Sequence, residues 1–199
     1  MKDKKTKDFD FSKLAATYDD GAAGKASKRF YNLLLREVEL CPNAKVLDVG
    51  CGTGALLKKL SFKSDISGFG TDIEENMIAQ AKKQNTNMFF MLAPCDKLPF
   101  DDNSFDVIIT CMAYHHFDNK EGFAAEAARV LSSNGVLYIA DPRFPWIVRK
   151  ILNGLLRLIR IAGAFYKPRE IETQFEKYGF AGIGAVVHGY AQVVKLQKI

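Results

Sequence analysis

The chain is poor in the residues that build small stapled or metal-held folds: it has four cysteines, Cys41, Cys51, Cys95 and Cys111, and three histidines in 199 residues. The cysteines lie 10, 44 and 16 positions apart with no CxxC pair, which excludes a zinc ribbon or finger and predicts no metal site. A chain of this length buries roughly 70 % of its unfolded surface, so its core needs no disulfide or metal staple. The sequence also lacks internal repeats, low-complexity stretches and any apolar run of the roughly 20 residues that cross a bilayer. The Lys-rich start is interrupted by Asp8, Asp10 and Lys13 and has no apolar signal-peptide core, which predicts a reducing, cytoplasmic address. Acidic residues are missing from Pro142 to Arg169, where Arg143, Arg149, Lys150, Arg157, Arg160, Lys167 and Arg169 supply seven positive charges. Elsewhere 21 basic residues face 23 acidic ones, so the net charge of +5 arises in that one segment. A slightly acidic remainder and no Asn-Pro-Pro-Tyr tetrapeptide argue against a nucleic-acid partner.

What is present is an ordinary globular composition, 48 % apolar, expected to form a single domain over residues 1–199. Residues 1–40 read as a helical N-terminal cap, with Phe30, Leu33, Leu34 and Val38 forming its stripe before Pro42 and Asn43 break it. A buried strand over Lys45–Val49 then enters the turn Gly50-Cys51-Gly52-Thr53-Gly54, and helical spacing resumes at Ala55–Leu60. Further strands are expected at Ile66–Thr71, Met88–Leu92, Phe105–Cys111 and Gly135–Ala140, with helices near Glu74–Gln84 and Lys120–Leu131 between them. Such alternation predicts an α/β fold with a mostly parallel sheet covered on both faces, because parallel neighbours need crossover connections. Gly184–Val187 and Gln192–Leu196, separated by four residues, predict a C-terminal antiparallel hairpin at one end of the sheet.

A strand ending in a glycine turn lets backbone approach a ligand, and the helix that follows offers unpaired N–H groups. Asp72, just after the second strand, sits where nucleotide-binding halves present an acid to ribose hydroxyls. Together they point to a nucleoside cofactor. Gly50, Gly52 and Ala55 also satisfy G-x-G-x-x-A, so a nicotinamide-dependent dehydrogenase stays open on spacing alone.

From about Phe11 to Asp141 the chain resembles class I S-adenosylmethionine-dependent methyltransferases, in particular the small-molecule branch similar to ubiquinone and menaquinone biosynthesis methyltransferases. Val46-Leu47-Asp48-Val49-Gly50-Cys51-Gly52-Thr53-Gly54 carries the resemblance most specifically, including the acid before the glycines. A pyrophosphate has little use for that carboxylate, whereas Asp48 can orient the cationic methionine end of S-adenosylmethionine. The resemblance further implies that Asp72 holds the ribose, that Ile73 packs on adenine within the stretch ending at Met77, and that Asp96 accepts from the adenine amino group. It implies a Rossmann-like seven-stranded sheet of order 3-2-1-4-5-7-6. It also implies an aromatic residue of the stretch Phe11–Asp19 closing over the cofactor. The implied activity is methyl transfer to a small, predominantly apolar acceptor, with a non-catalytic S-adenosylmethionine-binding partner protein as a further alternative.

Methyl transfer needs a base only when the acceptor arrives protonated. His115 and His116 follow the fourth strand at the edge where ligands of open parallel sheets bind, and imidazole titrates near neutrality. The resemblance favours His116; each histidine can equally serve to order the loop, and His188 in the hairpin turn reads as structural. Cys51 and Cys111 fall beside the expected cofactor but read as small apolar residues, and Tyr18 reads as a cover for the site or as core. The basic segment at 142–170, an insertion after the fifth strand, forms an amphipathic helix: Arg149, Lys150, Asn153, Arg157 and Arg160 share about 100° of arc, opposite Val148, Ile151, Leu152, Leu155, Leu156, Leu158, Ile159 and Ala162. Three readings follow: a helix packed on the sheet by its apolar face, a lid over a greasy acceptor pocket, or a peripheral membrane contact through residues 143–161.

Overall fold

The computed structural model describes residues 18–158 and 163–199. Helix α1 (Ala22–Glu37) leads into strand β1 (Ala44–Val49), which is followed by α2 (Ala55–Ser61), β2 (Ile66–Asp72), α3 (Glu75–Gln84) and β3 (Phe89–Leu92). Strand β4 (Phe105–Cys111) passes through a 3₁₀ turn at Tyr114–His116 to α4 (Lys120–Val130) and β5 (Leu131–Pro142). Helices α5 (Trp146–Leu158) and α6 (Pro168–Glu176) precede the hairpin β6 (Phe180–His188) and β7 (Ala191–Lys198).

The seven strands order as β3-β2-β1-β4-β5-β7-β6, the expected arrangement. The first five pair in parallel, and β7 runs antiparallel to both β5 and β6. In β1, Val46, Leu47 and Val49 are all buried, as a central parallel strand covered on both faces requires. On one face Phe30 and Leu34 of α1 join Leu56 and Leu57 of α2 and Ile78 of α3; on the other, Phe123 of α4 packs with Ile171 and Phe175 of α6.

Helix α6 is absent from the sequence reading, which left the stretch before the hairpin unassigned. Its start was nonetheless marked: Pro168 occupies the first turn, where its missing N–H costs nothing, and Glu170 accepts the Lys167 N–H at 2.8 Å. Strands β5, β6 and β7 each run longer than their apolar cores, because ladder hydrogen bonding continues through polar residues such as Gln192 and Gln197.

The segment entering β4 is held by a side chain rather than by regular structure. Arg129 donates to the carbonyls of Phe100 at 2.7 Å and Leu98 at 2.9 Å, and its Nε donates to Glu126 at 2.8 Å. Glu126 in turn accepts the Leu98 N–H at 2.6 Å. Arg129→Ala strands these groups and should lower stability by about 1.5 to 3 kcal/mol, read as a reduced urea midpoint at unchanged slope. A wild-type midpoint would show that the network is fully screened by water.

Candidate active site

The β1–α2 turn is tied to the end of β2, since Gly50 and Cys51 both donate their N–H to the Thr71 carbonyl, at 2.8 and 3.0 Å. Gly50, Gly52 and Gly54 hold φ of +78°, +52° and +75°, the region that favours glycine. Their surroundings differ. A side chain at Gly50 would meet the Ala113 Cβ at 2.5 Å, and one at Gly54 the Phe90 ring at 2.9 Å, so these two serve close packing. At Gly52 nothing among the described residues lies within 4 Å, which leaves the turn open there.

Two carboxylates flank that opening. Asp72 accepts the Gly52 N–H at 2.8 Å on one oxygen and the Glu74 N–H at 2.9 Å on the other. Each oxygen keeps acceptor capacity, since a carboxylate offers about four lone-pair sites. Burial pushes the Asp72 carboxyl pKa up, opposed by those backbone donors. Asp48 lies deeper, 2 % exposed, and its Oδ1 has no hydrogen-bond partner among the described residues. Burial, and secondarily the Asp72 charge, raise its pKa to about 8. Beside Asp72, Ile73 is 68 % exposed, an unusual position for a large apolar side chain and one suited to a planar ring.

The other sequence candidates divide. Cys51 and Cys111 are buried with thiol pKa values pushed far up by burial, so both are protonated walls and not nucleophiles. Met77 is buried within α3 and presents almost no surface to a ligand. Asp96 accepts from the Asn119 amide at 2.8 Å at the rim. Thr53 donates to Asp19 at 2.9 Å, which fixes the residue next to Tyr18 over the turn, while Phe11–Thr17 lie outside the described residues. Tyr31 escaped the sequence reading. Its hydroxyl pKa is raised by burial first and then by Cys111, Tyr18, Asp48 and Asp19, which places it at the same opening. Its signal was its position one helical turn beyond Ser27, on the buried side of α1.

The β4 and β5 ends lie side by side, Cys111 pairing with Ala140, so the residues just beyond them meet. His115, buried, bonds through Nδ1 to Asp141 Oδ1 at 2.8 Å. Its ring lies between Phe165, stacked at 5.1 Å, and His116 at 3.9 Å. His116 is exposed at the mouth of this loop, and its pKa is lowered by partial burial of the ring and by the neighbouring His115 and Lys120 charges. Met112, entering this loop, holds a φ of +58°, a strained value for a long side chain. His188 stays at the hairpin turn, where Arg29 reaches its carbonyl at 3.3 Å.

A cavity of about 840 Å³ opens between α5 and α6, lined in part by Trp146, Arg149, Lys150, Asn153, Phe165 and Tyr166. Arg149 pairs with Glu170, and the Asn153 amide brackets Phe165 by bonding both its N–H and its carbonyl at 3.0 Å. The polar side of α5 therefore faces inward, and the reading in which its apolar face packs on the sheet does not hold for the described residues. Residues 159–162 and the Arg157 side chain lie outside them. Among the described residues no group of three or more His, Cys, Asp or Glu is placed to hold a metal ion.

Residues 47–139 match the family described as "Methyltransferase domain", a span that contains the glycine turn, Asp72 and both histidines of the β4 loop. A curated relative, the demethylmenaquinone methyltransferase of Chlorobaculum tepidum, is 32 % identical over 127 residues, covering 62 % of this chain and 52 % of the relative. The chain thus spans about half the length of that relative. Among solved structures, the methyltransferase complexed with the Haloferax volcanii Trm112 methyltransferase activator gives a TM-score of 0.82 at 19 % identity, covering 94 % of this chain and 96 % of that one. A SAM-dependent methyltransferase from Aquifex aeolicus gives 0.73 at 21 %, covering 94 % and 98 %. Residues 47–139 are thus similar to a methyltransferase domain, and the solved structures share the Rossmann-like sheet of this chain.

Asp48 yields a test of the site's electrostatics. Its pKa is raised on folding, so its ionisation costs the ligand-free protein stability that is intact below the unfolded carboxylate range and lost as pH climbs toward 8. Asp48→Asn removes that cost. At pH 8 the variant should be more stable by roughly 2 to 4 kcal/mol, a gain that vanishes near pH 4, followed by calorimetric melting. A variant less stable at pH 8 would show that the carboxylate is satisfied in the fold.

Proposed function

We propose that the protein transfers a methyl group from S-adenosylmethionine to a small, predominantly apolar acceptor, in a single domain whose α1 caps the cofactor and whose α5–α6 insertion shapes the acceptor site. The observation that carries this reading is the open face at Gly52 set between the Asp72 carboxylate and the unpartnered Asp48 oxygen. Asp48 offers nothing to the pyrophosphate of a nicotinamide dinucleotide, whereas a nucleoside whose far end is cationic favours its ionised form. When bound, S-adenosylmethionine supplies a methyl group on a sulfonium carbon that is displaced in line.

The chain's residues then bind and align. Asp72 accepts the ribose hydroxyls with its remaining lone pairs, Ile73 offers its exposed face to adenine, and Asp96 accepts the adenine amino group. Gly52 lets the backbone approach while Gly50 and Gly54 keep the turn packed on Ala113 and Phe90, with Cys51 and Cys111 as small walls and Met77 supporting the Ile73 turn from within α3. Asp48 supplies negative charge to the amine-bearing end, while Tyr18 and Tyr31 close the opening. Holding acceptor and methyl in line is worth roughly 7 to 11 kcal/mol, and the walls of the α5–α6 cavity supply that constraint.

For a protonated acceptor, we assign His115 as the proton acceptor, because the Asp141 contact at its Nδ1 orients the ring. The exposed His116 packs against it, ring centroids 3.9 Å apart and tilted by 42°. The His115–Asp141 pair joins an imidazole to a carboxylate beside the cavity, an arrangement that supports the catalytic reading over a protein that only binds the cofactor. Relatives named for demethylmenaquinone support an apolar acceptor, and four unpaired cysteines suit a reducing, cytoplasmic setting.

Calorimetry with S-adenosylhomocysteine tests the cofactor: Asp72→Ala should weaken binding by about 1.5 to 3 kcal/mol with the fold retained, and unchanged affinity would refute the assignment. Once a labelled-donor screen supplies a substrate, Asp141→Asn and His115→Ala should each lower kcat by roughly 100-fold while S-adenosylhomocysteine affinity stays wild type. A wild-type rate in His115→Ala combined with a slow His116→Ala would transfer the role to His116.

A further inference from the structure

Methyl transfer leaves the outer surface of α5 unused. Ile147, Ile151, Leu155 and Leu158 recur at helical spacing along it and are 55, 64, 50 and 79 % exposed. A helix on a globular core turns its apolar stripe inward, yet here Arg149 and Asn153 occupy the inner side, held by Glu170 and the Phe165 backbone. Those bonds fix the rotation of the helix, so the apolar ridge points outward by construction. Lys150 and Trp146 are exposed beside it, and no acid occurs from Pro142 through Pro168.

We propose that α5 seats this ridge in the interfacial layer of an anionic lipid bilayer. Three observations select that occupant. The flanking charge is of one sign, complementary to acidic headgroups and repulsive toward the identical flank of a second copy. The helix has 13 residues, and among the described residues no helix is long and apolar enough to cross a membrane, so it lies on the surface. Trp146, the chain's single tryptophan, stands exposed at the first turn, where an amphipathic ring suits the headgroup level. The first 17 residues, with five lysines against three aspartates, carry the same sign as the flank and are poor candidates to cover it. A consequence, which rests on the methyl-transfer reading, is that an apolar acceptor reaches the cavity behind α5 directly from the bilayer.

Because Trp146 is the only tryptophan, its emission reports on this helix alone. With the full chain at low salt, vesicles of phosphatidylcholine mixed with phosphatidylglycerol should shift that emission to shorter wavelength. They should also sediment the protein at least roughly tenfold more than pure phosphatidylcholine does, and added salt should reverse both effects. Lys150→Gln should weaken vesicle binding roughly fivefold. Ile151→Asp and Leu155→Asp should abolish it at unchanged Tm, since both positions are already in water. The proposal is overturned if anionic vesicles neither shift the emission nor sediment the protein, or if neutral ones do so equally. It is also overturned if the shift grows with protein concentration without vesicles, the mark of a second copy on the ridge. None of these readouts needs donor or acceptor, so their failure is separable from failure of the methyl-transfer reading.

Discussion

The site is organised around a carboxylate that the fold itself leaves unsatisfied. Asp48 is the penultimate residue of the central strand, in register between Gly70 of β2 and Ile109 of β4, and cannot withdraw to water without breaking the middle of the sheet. One of its oxygens is orphaned and its ionisation is opposed by burial and by Asp72. A buried acid without a partner costs stability, and the expense is tolerable only where a cation arrives to offset it. Of the three glycines in the turn above Asp48, only Gly52 has open space beside it among the described residues, which leaves room for that cation.

The remainder of the site is arranged around the same edge. β1 and β4 are adjacent although four elements separate them in the chain, so the loops after them diverge to opposite sides of the sheet and leave a crevice. One lip carries Asp72 and Ile73; the other carries the His115–His116 turn, locked from behind by Asp141, Phe165 and the Ala164 N–H to the His115 carbonyl. The strained Met112 backbone is where the chain bends to deliver that turn. Helices α5 and α6 extend this second lip, so the segment richest in positive charge borders the proposed acceptor side and not the glycine turn.

The portion of this arrangement that was legible in the sequence is the portion set by local pattern. Glycines at 50, 52 and 54, a carboxylate at 72 and the alternation of apolar runs with helical stripes fix the β1–α2 turn, and the resemblance supplied the strand order. Long-range partner choice was not legible. Nothing in the neighbourhood of His115 indicates that Asp141, 26 residues away, will be its partner. Tyr31 reads as one more aromatic on a helix until the burial of its hydroxyl is seen. Periodicity showed that α5 has two faces but not which one turns inward, because that depends on Glu170 and Phe165 beyond the helix. Helix α6 was missed for another reason: nine residues with two buried apolar side chains give little stripe to detect.

The most direct measurement is the proton count on cofactor binding, obtained by calorimetric titration of S-adenosylmethionine in buffers of differing ionisation enthalpy. With the Asp48 pKa near 8 in the ligand-free protein, the carboxyl is largely protonated at pH 7. A cation placed beside it favours the carboxylate, so binding should release close to one proton near pH 7 in the wild type and none in Asp48→Asn. Wild-type binding that exchanges no protons, or failure to bind at all, would contradict the account.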